Sequence, residues 1–80
     1  MDLPDALIAL QTAADAEHAR LDTLPMGEAY WRQWETWRNA AVAVQAAVTA
    51  HAADHDQPRY AVEAALKRRV RHPEPAPADA

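Results

Sequence analysis

Two histidines stand four residues apart in HAADH, residues 51–55. On a helix that spacing puts both imidazoles over one turn, where they can clasp a divalent cation. A zinc centre takes a third ligand and usually a fourth. His18 lies too far along the chain's expected path, so only Asp2, Glu63 or a second chain could complete the set. The pair also suits a helix C-terminus, where partial negative charge favours imidazolium. No metal and no cofactor is therefore expected. Nucleophilic chemistry has even less to draw on. The chain has no serine and no cysteine, and Thr12, Thr23, Thr36 and Thr49 are scattered. A single glycine rules out a glycine-rich phosphate loop. No catalytic residue, enzyme activity or small-molecule substrate is expected.

The second cluster is KRRVRH, residues 67–72, the chain's only run of bases. On a helix, Tyr60, Lys67, Arg68 and Arg71 share the face opposite Val62, Leu66 and Val70, with Ala64 between them. A basic strip with one aromatic ring is a minimal surface for nucleic acid or an acidic protein. Bases at a helix C-terminus are also favourable for stability alone. Glu63 and Lys67, at i and i+4, are placed to form a local ion pair.

The third cluster, YWRQWETWR over residues 30–38, holds all three tryptophans. Trp34 and Trp37 fall on the apolar stripe of a helix, which makes them core on the simplest reading. Trp31 sits about 90° off that stripe. Ile8, on the polar side of the first helix, is a second apolar misfit. Tyr30, Trp31, the outer edge of Trp34 and Ile8 are the candidate partner-binding residues.

These clusters must be carried by helices. Alanine accounts for 21 of the 80 residues, and it is the best helix former. A first helix is expected over about 3–24, with Asp2 as N-cap and Pro4 in its first turn. Its stripe is Leu3, Leu7, Leu10, Ala14 and Leu21. TLPMG, residues 23–27, breaks it, because Pro25 cannot continue a helix and Gly27 permits a turn. A second helix over about 28–53 carries Tyr30, Trp34, Trp37, Ala41, Val44 and Val48 as its stripe. Asp54 or Asp56 is placed to cap a third, over about 57–72, opened by Pro58. Folding the first two into an antiparallel hairpin makes facing residue numbers add to about 51. Trp37 then faces Ala14, Ala41 faces Leu10, Val44 faces Leu7 and Val48 faces Leu3. The shorter third helix, folded back again, lies along residues 41–55 and stops short of Trp31 and Trp34. PEPAPADA, residues 73–80, is expected to be a disordered tail.

The expected fold is thus all-α: a helical hairpin with a shorter third helix, one domain over residues 1–72. A domain this small buries only about 60% of its unfolded surface, so partner burial is the natural supplement in a chain without cysteine. Charge is split along the chain. Residues 1–56 carry nine acids against three bases, whereas residues 57–72 carry five bases against one acid. No apolar run approaches the roughly 20 residues of a membrane span, and a soluble cytoplasmic protein is expected. The reading that follows is a non-catalytic helical interaction module that binds itself, as a homodimer, or another protein through its tryptophans. The alternative is a nucleic-acid-binding accessory protein that uses the third helix.

Overall fold

A computed structural model describes residues 1–71, and the expected tail and His72 lie outside this range. The described residues form three helices: α1 (Asp5–Leu21), α2 (Glu28–Asp54) and α3 (Arg59–Arg71). No strand occurs among the described residues. The molecule is a small all-α bundle in which α1 packs against both other helices.

The helix ends follow local chemistry. α1 begins two residues later than expected. Asp2 does not cap it; Pro4, with an extended ψ of 145°, is the N-cap, and its carbonyl accepts from Leu7 and Ile8. A residue before proline avoids the helical region, so Leu3 cannot be drawn into the first turn. At the other end, the Thr23 hydroxyl donates to the Arg20 carbonyl at 2.7 Å and closes the helix early. Gly27 precedes α2 at φ 157°, in a region that side chains rarely enter. α2 terminates in a Schellman arrangement: Gln57 N–H donates to the Ala52 carbonyl at 2.9 Å, and Asp56 N–H to that of Ala53. Asp56 occupies the left-handed position, φ 51°, that glycine usually fills. Asp54 is the last residue of α2 and Asp56 stops that helix. The acids expected to cap α3 therefore belong to the end of α2.

Side-chain contacts set the registers. Gln33 Nε2 donates to the Glu17 carbonyl at 2.8 Å, within one residue of the expected hairpin pairing. Arg59 Nε donates to Thr49 Oγ1 at 2.9 Å and Gln45 Nε2 to Glu63 Oε1 at 3.0 Å, so α3 runs antiparallel to α2. On that register the end of α3 is level with Trp37. Leu7, Ala14, Val44, Val48, Ala52, Val62 and Leu66 form the core, in the part of the bundle where all three helices overlap.

Two expected faces are rotated. Leu10 is 36% exposed, whereas Gln11 is buried in its place. Ile8 is half-buried and packs against the core rather than lying on a polar side. Both changes have one cause. α3 sits over the Ile8 and Asp15 side of α1, so the buried arc of α1 turns toward α3 and away from Leu10. The Ala41–Leu10 pairing is lost with it. Trp34 and Trp37 are not core either: Trp34 is 37% exposed and Trp37 half-buried, because the core ends where α3 ends.

Candidate functional site

The turn end of the hairpin carries a run of rings. Tyr30 meets Trp31 at 5.3 Å between centroids, Trp31 meets Trp34 at 6.3 Å, and Trp34 meets Trp37 at 6.1 Å. His18 from α1 closes the series against Trp37 at 5.1 Å. All four contacts are edge-to-face, the arrangement aromatic quadrupoles prefer. Each ring steadies the next, which keeps large apolar groups ordered at the surface. Trp31 is nonetheless 54% exposed, and Met26 in the adjoining turn is also exposed.

Why the rings stay uncovered follows from helical phase. Trp31 and Trp34 lie on the side of α2 that also carries Gln45 and Thr49, and those two residues hold α3. The described part of α3, ending at Arg71, covers this side as far as Trp37. Alongside the end of α3, a cleft of about 540 Å³ opens between the helices. Its floor is Ala14, Trp37, Ala41 and Val44, its turn end is marked by Asp22, and its inner end by Lys67. Small residues on the floor leave the cleft deep, and of the ring series His18 and Trp37 line it.

The inner end is held by a polar clamp that the chain's pattern did not announce. Arg71 grips Asp15 with a two-point fork, Nη2 to Oδ1 at 2.7 Å and Nε to Oδ2 at 3.1 Å. The buried Gln11 donates to the same Oδ1 at 2.9 Å. The hydrogen bond from Arg71 holds the Asp15 carboxyl below the usual aspartate range, and the same contact raises the guanidinium. The only sequence signal for this clamp was a glutamine and an aspartate at i and i+4, beside the apolar stripe of α1.

The clamp changes the basic strip. Arg71 is committed to Asp15, while Tyr60, Lys67 and Arg68 stay exposed, Tyr60 at 74%. Glu63 does not pair with Lys67; it accepts from Gln45 and lies 3.9 Å from Arg59. The other partner-binding candidates divide. Tyr30, Trp31 and Trp34 come together, but Ile8 lies at the far end of α1 against α3, about 12–18 Å from them along the hairpin.

His51 and His55 stack at 4.1 Å, and His55 Nδ1 donates to the His51 carbonyl at 3.0 Å. His51 is buried. Glu63, one of the acids that could have joined them, is engaged elsewhere. Among the described residues, no group of three or more histidine, cysteine or acidic side chains is arranged to hold a metal ion. Nor, among these residues, is any helix long and apolar enough to cross a membrane.

Fold and surface together define a small three-helix bundle with an aromatic face beyond its core. Comparison with protein-family models, with curated proteins and with solved structures finds no match.

Proposed function

We propose that this chain is a non-catalytic helical interaction module whose working surface is the aromatic face of α2, centred on Trp31 and Trp34. The observation that carries the reading is an ordered ladder of rings left open where α3 stops. Soluble proteins rarely expose adjoining large apolar groups unless something covers them. Tryptophan is also the residue most enriched at binding hot spots. The small core favours the same reading, because burial of this face against a partner adds the apolar area that a short three-helix overlap lacks.

Trp31→Ala tests it. Removing this ring weakens self-association or partner binding by about 2 kcal/mol, with helicity by circular dichroism unchanged. Trp37→Ala, which removes the ring joining α1 to α2, costs about 2–3 kcal/mol of folding stability instead. A Trp31 variant that matches the wild type in sedimentation and in every partner assay defeats the reading.

A nucleic-acid role for α3 rests on the exposed Tyr60 beside Lys67 and Arg68. With Arg71 spent on Asp15, this strip offers about two phosphate contacts, so its binding would depend only shallowly on salt. A gel-shift series that finds no complex at low salt removes this alternative.

A further inference from the structure

The groove between α1 and α2 is half filled. α3 occupies it from Thr49 to Trp37, and among the described residues no helix lies over the remainder, on the side of α2 that carries Trp31 and Trp34. The molecule therefore presents a raised end, where α3 lies on the hairpin, and a recessed end at the turn. We infer that the occupant of the recessed end is α3 of a second copy, related by a two-fold axis that crosses the groove level with Trp34. This rests on reading the aromatic face as an interface, and it specifies the partner and its orientation.

Shape is the first argument. A two-fold axis lying across the groove reverses its direction, so the raised end of each copy meets the recessed end of the other. The step between the two ends is then filled twice by the same contact, as a self-complementary interface requires. As far as Arg71, the two α3 helices lie end to end along the joined grooves without colliding, because Arg71 is level with Trp37.

Charge is the second argument, and it is independent of the rings. Lys67 and Arg68 are exposed on the raised end, and neither takes part in an ion pair among the described residues. Asp22 and Glu28 are exposed at the recessed end and are also outside the ion pairs found among those residues. Asp22 and Lys67 line the two ends of one cleft. The two-fold axis brings base to acid at both ends at once, whereas a parallel pairing would set like charges together. Of the neighbouring bases, Arg20 is held by Glu17 at 3.6 Å, Arg32 lies one turn from Glu28 on the side of α2 away from Gln45 and Thr49, and Arg38 is level with the end of α3 rather than with the turn. Lys67 and Arg68 of one copy also arrive beside the exposed indoles of the other, where a cation gains from the ring faces. The division of the chain into an acidic hairpin and a basic third helix acquires a use in this arrangement.

The test is a charge exchange on the full chain, read by sedimentation across a concentration series. The wild type dimerises. D22K/E28K places like charges at both contacts, as does K67E/R68E, and each variant weakens dimerisation by at least about tenfold. An equimolar mixture of the two restores opposite charges at both ends, and it assembles within about threefold of the wild type. Melting curves of the two variants taken alone confirm that each is folded. A wild type that stays monomeric at high concentration overturns the inference. So do variants that dimerise like the wild type, or a mixture no better than its components. Charge variants that dimerise normally while Trp31→Ala does not would leave the aromatic face an interface and reject the two-fold arrangement alone. A Trp31→Ala variant without effect would instead strike the reading beneath it.

Discussion

Asp15 shows how much one surface carboxylate can organise. It accepts from Gln11 on its own helix and from both arms of the Arg71 fork, so it joins the end of α3 to the middle of α1. Its folded pKa is lowered, chiefly by the Arg71 hydrogen bond. A group of that kind stabilises the fold above its unfolded pKa, and the contribution disappears as pH falls through the folded value. Asp15→Asn is therefore expected to lower stability near neutral pH by about 0.5–1 kcal/mol, the scale of a half-exposed ion pair. The difference from wild type narrows as the pH is taken below the carboxylate range. Melting temperatures of both proteins across an acid series check this. A gap that stays constant with pH would mean that the clamp acts through packing rather than charge.

At the scale of elements, the ends matter more than the middles. Alanine-rich sequence makes the helices inexpensive to form, so where each one stops decides what it covers. α2 ends at a Schellman turn with Asp56 in the left-handed region. A non-glycine residue there carries a backbone cost that an aspartate only partly avoids. Asp56→Gly keeps the turn, removes the cost and raises stability by about 0.5–1 kcal/mol. Chemical denaturation measures it; a loss of stability would mean that the Asp56 carboxylate contributes more than its backbone costs. The end of α3 has the larger consequence. Had that helix run two turns further along the groove, it would have lain over Trp34 and Trp31, and the bundle would have no aromatic face.

For the whole molecule, the decisive fact is that core and candidate surface occupy opposite halves. Apart from Leu21 at the end of α1, the buried apolar side chains cluster where three helices overlap, and Leu66 and Val62 supply the whole fully buried contribution of α3. Without that contribution the hairpin is left with alanine methyls, two valines and two leucines. Leu66→Ala is thus expected to cost about 2–5 kcal/mol and to melt all three helices together. Helicity and tryptophan fluorescence followed through one thermal scan are the check. If α3 alone is lost and the hairpin persists, the Trp half holds itself together through its rings. That outcome would also raise the stability assigned to the ladder, at about 0.5–1.5 kcal/mol for each aromatic pair.

Much of this was legible in the chain. Alanine content, the Pro25–Gly27 break and the Asp54–Pro58 turn determine three helices, and helical rise alone placed the hairpin register within a residue of the Gln33–Glu17 contact. The same arithmetic stopped α3 short of Trp31 and Trp34, so the exposure of Trp31 needed no coordinates, whereas Trp34, read as core with one outer edge uncovered, proved 37% exposed. Periodicity failed where a helix has two neighbours. A stripe computed from one helix points at one partner, but the buried face of α1 is a compromise between α2 and α3. Leu10 was displaced outward, Gln11 drawn in and Ile8 moved to the core for that reason. The Asp15–Arg71 fork joins residues 56 positions apart and was invisible for the same cause. Local pattern specifies which side of a helix is apolar; only packing decides how that side is divided among its neighbours.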